Sequence, residues 1–248
     1  MSDHSLRMLL DASDRFASLS TPEQKWDMAQ TVARDFGAVA VNIGAGSRRT
    51  GDLLWMRSNM SRTWLSDYVD QAFMTLDPFV AGAVRNTDPV LLNAGRLRRS
   101  EAASNKAFEM DHQLSEAGYP LCYGVPFTGT IRGAGGMVVF GFDREAARSF
   151  TEERASQMRL VAAVIAANVG PPEDVTAPGV VDIPTGRLTR REREVLALLA
   201  DGHGNDGIAD RLGVSEATVQ KHLRSARQRL NVLSREQAVV RAVSMGLI

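Results

Sequence analysis

Trp64, Tyr68 and Asp77 are the side chains of the N-terminal part whose types and spacing best suit the binding of a small molecule. Trp64 and Tyr68 are four residues apart and share one face of a predicted helix, and Asp77 follows its end. An indole N–H, a phenol and a carboxylate beside apolar walls would bind a small amphiphile with a carbonyl and an amide N–H. Spacing alone favours a simpler interpretation, in which the rings are core residues and Asp77 only caps the helix that Pro78 begins.

A second candidate site lies in a predicted helix that follows Ser215. Ser215 is a good N-cap because its hydroxyl can accept a hydrogen bond from an N–H of the first turn. One face of this helix is a narrow apolar stripe of Val219, Leu223, Ala226 and Leu230. The opposite face and its edges hold small, amide and cationic side chains, which are Ala217, Gln220, Lys221, Arg224, Arg227 and Gln228. Such a face suits the major groove of DNA, where Arg and Lys bond to guanine and Gln to adenine.

Further helices are predicted on both sides of this basic helix. Thr189 caps one that ends at Gly202, Asn205 begins a short second one, and Gly213 turns the chain into the basic helix. A fourth covers about 235–245. A capped basic helix after a glycine-containing turn is typical of a helix-turn-helix DNA-binding domain. Spacing alone supports a structural helical bundle with a solvated basic face almost equally well.

Length and charge favour two domains of different character. The chain has 248 residues, enough for two modest domains or one large one. Its formal net charge is zero, but from Gly186 onward eleven Lys and Arg face seven Asp and Glu, so this tail is +4 and the rest is −4. A basic module joined to an acidic one is typical of a DNA-binding domain with a separate sensor.

Several other classes of protein are disfavoured by the sequence. No apolar run approaches the roughly 20 residues of a membrane span, and the N-terminus lacks the features of a signal peptide. The lone Cys122 excludes an intrachain disulfide, and four scattered histidines have no metal-ligand spacing. The sequence has no Ser/His/Asp set and no nucleotide-binding motif at a spacing that would suggest an enzyme. The glycines of 129–136 lie between two predicted strands, so they predict a hairpin and not a phosphate-binding loop. We therefore expect a cytoplasmic, non-enzymatic protein without a metal, a cofactor or membrane contact.

The pattern of predicted elements sets the expected fold. Helices are predicted at 6–16, 22–35, 61–77, 78–85, 100–117 and 151–168, strands at 38–43, 53–56, 121–128 and 136–142, and an extended edge piece at 89–92. Strands gathered at two places with helices around them predict an α/β/α sandwich with a central antiparallel sheet, of the PAS or GAF kind. The whole is then an α+β two-domain chain: a ligand-binding and dimerisation domain 1–169, a Pro-rich linker 170–186, and an all-α four-helix helix-turn-helix domain 187–248.

The C-terminal part resembles the LuxR-type DNA-binding domain. The matching residues are Thr189-Arg190-Arg191-Glu192-x-Glu194-Val195-Leu196, Gly202, Ile208-Ala209-x-x-Leu212-Gly213-Val214-Ser215-x-x-Thr218-Val219-x-x-His222 and Gly246-Leu247-Ile248. The resemblance implies that Glu192, Leu196 and Gly202 belong to the scaffold. It implies that Gln220, Lys221 and Arg224 contact base edges. Thr218, His222 and Arg227 are further candidate DNA-binding residues, and His222 would serve the scaffold or contact a phosphate. The turn 203–207 lacks the family's usual basic residues, which predicts fewer phosphate contacts there.

The spacing W-x3-Y-x8-D-P upstream of this tail resembles the autoinducer-binding domain of quorum-sensing LuxR regulators. The resemblance implies that Trp64 donates to a lactone carbonyl, that Asp77 accepts the ligand amide N–H and that Tyr68 flanks the acyl carbonyl. Pro89 and 118–126 extend the likeness. Leu92 and Cys122 depart from it, because the family has a second Trp and a Gly at these positions. Met56 and Phe73 are further candidate ligand-binding residues, although core packing is the commoner use of methionine.

These expectations combine into a transcriptional regulator of the LuxR family. It would bind double-stranded DNA at a pseudo-palindromic site as a homodimer, through contacts at 151–168 and 235–245, under control of an autoinducer such as an N-acyl-homoserine lactone. RNA polymerase is a candidate further partner. The alternatives are a regulator that needs no ligand, one that answers a non-lactone ligand, and an anti-activator that pairs with another LuxR-type protein.

Overall fold

The computed structural model describes residues 3–49, 51, 53–85, 88–128, 133–172, 177, 179–181, 188–230, 232–244 and 247–248. The chain divides into two compact units, Met1–Asp182 and Ile183–Ile248. This division falls inside the predicted linker 170–186, most of which lies outside the described residues. The predicted domain boundaries at 169/170 and 186/187 stay a prediction.

The first unit alternates helices with the strands of one sheet. Its helices are α1 (Asp3–Ala17), α2 (Pro22–Asp35), α3 (Arg62–Asp70), α4 (Pro78–Arg85), α5 (Asn105–Glu116), α6 (Arg144–Arg148) and α7 (Glu152–Asn168). Its strands are β1 (Ala40–Ser47), β2 (Leu53–Ser58), β3 (Val90–Asn93), β4 (Leu121–Thr128) and β5 (Ala134–Phe142). All pairs are antiparallel, in the order β2-β1-β5-β4-β3. The predicted extended piece at 89–92 is thus the edge strand β3.

Side chains alternate between the two faces of this sheet, so each face has its own core. One face, which includes Val41, Ile43 and Phe140, packs against α1, α2 and α7. The other face, which includes Cys122 and Val139, packs against residues of α3, α4 and α5. Helices therefore cover both faces, as the α/β/α prediction requires.

Two glycines of the sheet let α4 lie close to it. A Cβ at Gly135 would overlap the carbonyl oxygen of Ala83 in α4, and a Cβ at Gly124 would lie 2.5 Å from the ring of Phe79. Because α4 is held against the sheet at these points, Asp77 at its N-terminus is fixed beside the second core.

The helix that begins after Ser61 is shorter than predicted. It ends at Asp70, and Ala72 takes a left-handed conformation with φ 50°. A 3₁₀ turn, Phe73–Thr75, replaces the predicted last turns of this helix. The break moves Phe73 out of the helical register and under Trp64.

The start of α5 is a second correction. The sequence predicts a helix from Ser100, but α5 starts at Asn105, where the Ser104 hydroxyl accepts from the N–H of Ala107 at 3.1 Å. The buried Asp111 carboxylate of α5 accepts from the N–H groups of Gly95 and Leu97, at 2.8 and 3.1 Å. The chain after β3 is thereby bound to the side of α5 and must turn before the helix can begin.

Smaller differences concern the ends of other elements. β1 covers Ala40–Ser47 rather than 38–43, and β5 starts two residues earlier than predicted. Asp143 caps α6, which the sequence analysis missed because it has only five residues. The predicted hairpin 129–136 falls partly on residues 129–132, outside the described part.

The second unit contains helices α8 (Arg190–Ala200), α9 (Asn205–Leu212), α10 (Glu216–Arg229) and α11 (Arg235–Ser244). Thr189 and Glu192 form a capping box at the start of α8, and Gly213 ends α9 in a left-handed conformation with φ 64°. The Ser215 hydroxyl accepts from the N–H of Thr218 at 3.2 Å, so the predicted N-cap of α10 is confirmed. Together with the covered sheet, these helices confirm the predicted α+β two-domain fold class. Among the described residues no helix is long and apolar enough to cross a membrane.

Candidate ligand cavity and DNA-binding face

A small cavity lies on the face of the sheet that α3, α4 and α5 cover. Six of the predicted ligand-binding residues line it: Met56, Trp64, Tyr68, Asp77, Leu92 and Cys122. Seven further residues line it: Asn42, Met60, Leu65, Phe79, Met110, Leu114 and Val139. The tertiary structure thus brings seven separate stretches of the sequence together around one cavity.

Asp77 is held by its own helix and by Tyr68. One carboxylate oxygen accepts from the N–H of Phe79 at 2.7 Å, which caps α4. The other accepts from the hydroxyl of Tyr68, also at 2.7 Å. Asp77 is therefore both the cap expected from spacing alone and a carboxylate of the cavity wall.

Burial sets the protonation behaviour of this pair. It raises the pKa of Asp77, and the hydrogen bonds from Tyr68, Phe79 and Val80 oppose this change. Burial also raises the pKa of Tyr68 well above its ordinary value, with a further contribution from the neighbouring Asp77. Tyr68 is consequently a neutral donor, and Asp77 is an acceptor in a poorly solvated environment.

Trp64 is positioned by the rings around it. It lies against Phe73 with 5.9 Å between ring centroids and 24° between planes, and against Tyr68 at 5.9 Å and 54°. Phe73 is fully buried and does not line the cavity, so the structure places it behind Trp64. Phe73 supports the indole, whose ring forms the wall.

Leu92 and Cys122 are directly opposite each other on β3 and β4. Their side chains therefore lie on the same face of the sheet, and both line the cavity. Burial raises the pKa of the Cys122 thiol, and the Asp77 carboxylate raises it further. Cys122 is thus a neutral, weakly polar group near Asp77, with no thiolate character. The two departures from the family pattern form one contiguous patch of the cavity wall.

Asn42 is the polar lining residue that the sequence analysis missed. It lies on β1, and its amide oxygen accepts from the Ser58 hydroxyl at 2.5 Å, while its amide nitrogen is 3.5 Å from the sulfur of Met60. An Asn at an alternating position of the apolar stretch 38–43 was an available signal. The missed apolar residues carried no such signal, because apolar side chains line cavities and fill cores alike.

The exposed face of α10 holds the predicted base-contacting residues. Gln220, Lys221 and Arg224 are exposed, whereas Val219 and Leu223 are buried on the opposite side. An open groove beside this face is lined by Gln220, Leu223, Arg224 and Arg227 of α10, by Asn205 of α9 and by 233–236. The geometry therefore collects cationic and amide groups on one accessible surface.

The remaining residues assigned to DNA are less exposed. Thr218 and His222 are half-buried, and the Thr218 hydroxyl is 2.9 Å from that of Ser215. The guanidinium of Arg227 donates to the carbonyl of Leu233 at 3.2 Å and so ties α10 to the turn before α11. DNA contact by all six residues stays a prediction, and Arg227 has a structural bond of its own.

Glu192 anchors α10 to α8 from a buried position. One of its carboxylate oxygens accepts from the Ser225 hydroxyl at 2.6 Å and from Nε of Arg229 at 3.0 Å. The other accepts from the N–H of Thr189 at 2.8 Å. Leu196 is fully buried, and Gly202 ends α8 with φ 87°, a conformation that favours glycine. All three residues are placed where a scaffold role requires them.

Known proteins are similar to this chain in both units. The autoinducer binding domain matches residues 21–169, and the regulatory proteins of the bacterial luxR family match residues 186–242. The transcriptional activator protein VanR of Vibrio anguillarum is 27% identical over 197 residues, which cover 77% of this chain and 75% of VanR.

Two crystal structures have a similar fold. Escherichia coli SdiA matches at a TM-score of 0.51 and 18% identity, over 99% of this chain and 98% of SdiA. CepR2 from Burkholderia cenocepacia, described as an N-acylhomoserine lactone dependent LuxR family transcription factor, matches at 0.52 and 20% identity, over 68% of this chain and 96% of CepR2.

A walled cavity on an antiparallel sheet, followed by a helix-turn-helix domain with a basic exposed helix, defines a ligand-responsive transcriptional regulator. Because the autoinducer binding domain matches more than half of its length, the chain belongs to the LuxR family of quorum-sensing regulators.

Proposed function

We propose that this regulator is a homodimer that binds an N-acyl-homoserine lactone in the cavity and a pseudo-palindromic DNA site through α10. The observation that carries the proposal is the Asp77–Tyr68 pair beside Trp64 in a mostly apolar cavity. A buried carboxylate that already accepts two hydrogen bonds still has lone pairs for an amide N–H. The indole of Trp64 supplies a donor for a carbonyl, so a head group with both functions is matched.

The acyl chain is matched by the rest of the wall. Met56, Met60, Leu65, Met110 and Leu114 supply an apolar and adaptable lining. CepR2, which has a similar fold, depends on an N-acylhomoserine lactone, and this supports the same class of ligand. Leu92 and Cys122 replace the residues that the family has at the head-group end of the cavity. We therefore propose acyl lactones as a class, and binding experiments must determine which acyl chain binds most tightly.

Exposed apolar side chains on two helices support dimer formation. Val240 and Val243 of α11 are 68% and 56% exposed, and Leu160 of α7 is 41% exposed. Association through these helices would remove them from water and present two α10 helices to successive major grooves, roughly 10 bp apart. We place this action in the cytoplasm. RNA polymerase is proposed as a further partner because the relative VanR is an activator.

Thermal unfolding with a panel of acyl lactones of different chain length tests the ligand. A lactone at a hundredfold excess over its Kd is expected to stabilise the chain by about 3 kcal/mol. Trp64→Phe and Asp77→Asn should remove this effect, whereas Asp70→Asn, on the exposed side of α3, should keep it. If no lactone stabilises the wild type, the ligand-independent and non-lactone alternatives replace the proposal.

Sedimentation and DNA titration test the dimer. Val240→Lys is expected to shift the chain towards monomer and to weaken binding to a two-half-site duplex more than to a single half-site. A wild type that is monomeric at all concentrations, or a heterodimer with another LuxR-type protein that loses DNA binding, would favour the anti-activator alternative.

A further inference from the structure

Asn42 places a polar group at a part of the cavity that the head-group residues do not occupy. Asn42 is aligned across the sheet with Val139 of β5 and Gly124 of β4, whereas Cys122, the neighbour of Asp77, is two residues further along β4. β1 and β4 are two strand spacings apart, which is about 10 Å. A ligand whose head group is bound beside Asp77 and Cys122 would therefore reach Asn42 with its chain.

The orientation of the Asn42 amide follows from its neighbour Ser58. The Ser58 hydroxyl accepts from the N–H of Met60 at 3.1 Å, so its own proton is available to the Asn42 oxygen at 2.5 Å. The amide oxygen therefore faces Ser58, and the NH₂ group is the part of Asn42 left for the cavity.

The NH₂ group of Asn42 can donate more hydrogen bonds than it makes among the described residues. It carries two donors, and among the described residues its only partner is the sulfur of Met60, at 3.5 Å. A thioether is a weak acceptor, and the other nearby walls are the apolar side chains of Met56 and Val139. A donor in apolar surroundings gains from an acceptor that a ligand supplies.

We propose that Asn42 is a specificity-determining residue that donates a hydrogen bond to an oxygen on the chain of the ligand, away from its head group. The cavity then takes acyl lactones whose chain carries an oxo or hydroxyl oxygen in preference to fully saturated chains. This inference rests on the proposed function, because it assumes that the amide of an acyl lactone is bound at Asp77.

The test compares matched ligands on three proteins. The ligands are the octanoyl, 3-oxooctanoyl, 3-hydroxyoctanoyl and 8-hydroxyoctanoyl homoserine lactones, and the Kd of each is measured by titration calorimetry. On the wild type we expect one or more of the oxygenated ligands to bind about five- to tenfold more tightly than the octanoyl compound, which is what one neutral hydrogen bond contributes.

Asn42→Leu removes the donors at similar volume, and Asn42→Asp keeps the shape and the acceptor for Ser58. Both variants should lose the preference for oxygenated chains, and the second covers the case in which the first does not fold. Asn93→Leu, at an exposed position of β3, is the control and should keep it. Equal affinity of the wild type for all four ligands, or a preference that survives in both Asn42 variants, overturns the inference while leaving lactone binding intact. If none of the four ligands binds, the lactone proposal fails and this inference fails with it.

Discussion

At the scale of single residues, Asp77 serves the fold and the cavity with different oxygens. One oxygen caps α4 and the other accepts from Tyr68 at the cavity wall. A helix cap and a ligand-binding residue at this position would both be an Asp, so the spacing in the sequence could not distinguish the two roles. Burial of the carboxylate couples its ionisation to folding, because its pKa is raised in the folded chain.

Asp77→Asn is expected to change how stability depends on pH. Because the folded pKa is raised, the folded chain binds more protons than the unfolded chain between the two values, and stability falls as pH rises through that window from about 4. Asn carries no such proton, so the free energy of unfolding of the wild type minus that of the variant should decrease as pH rises. Urea titrations at several pH values between 4 and 7 measure this difference in unfolding free energy, with Asp70→Asn as control. A pH-independent difference would contradict the raised pKa.

At the scale of elements, Glu192 joins the first and third helices of the DNA-binding unit. Its carboxylate links the N-cap of α8 to Ser225 and Arg229 near the end of α10. Both partners of the ion pair are nearly inaccessible, with 7% and 3% of the side chains of Arg229 and Glu192 exposed. The exposed face of α10 is therefore oriented by a bond on its buried side.

Glu192→Ala should destabilise the second unit by about 3–5 kcal/mol, because it removes one member of a buried ion pair together with the bonds to Thr189 and Ser225. Glu194 of the same helix is the matched control, since its bonds to Arg190 and Arg191 are exposed and should contribute little to stability. Chemical unfolding followed by circular dichroism measures both. Similar losses of unfolding free energy in the two variants would mean that the buried ion pair contributes no more to stability than the exposed one.

Arg224→Ala tests the function of the exposed face of α10. The guanidinium is exposed beside the groove, so truncation is expected to weaken binding to a specific duplex by about 1–3 kcal/mol and to relax preference at one base pair. Arg193→Ala, exposed on α8, is the control. Fluorescence anisotropy with specific and scrambled duplexes measures the effect. An equal loss on both duplexes would mean that Arg224 contacts only phosphate.

At the scale of the whole molecule, part of the predicted linker is bound to the sheet of the first unit. The N–H of Ser58 donates to the carbonyl of Gly179 at 2.7 Å, and the N–H of Val181 donates to that of Met56 at 3.0 Å. Val180 pairs with Arg57 as an antiparallel bridge at the edge of β2. Segment 179–181 therefore protects this sheet edge, directly beside two residues that line or support the cavity.

Gly179→Ala is expected to detach this segment. Gly179 has φ 78°, and a Cβ there would lie 2.5 Å from the indole nitrogen of Trp26, so alanine is strained and obstructed. Hydrogen exchange should show loss of protection at the amides of Ser58 and Val181. Gly170→Ala, where a Cβ meets nothing within 4 Å, is the matched control and should leave both amides protected. Unchanged protection in Gly179→Ala would show that the segment tolerates the new contact.

The sequence by itself determined the features that depend on neighbours along the chain. The caps at Thr189 and Ser215, the helices 22–35 and 78–85, and the apolar stripe of α10 follow from local periodicity and capping, and each has its predicted place. Tertiary structure alone decided which residues meet across the sheet: Asn42 at the cavity, Arg229 on Glu192, Phe73 behind Trp64, and segment 179–181 on β2. These contacts join residues far apart in the sequence, and the sheet register and close approach of α4 that create them leave no periodic signal.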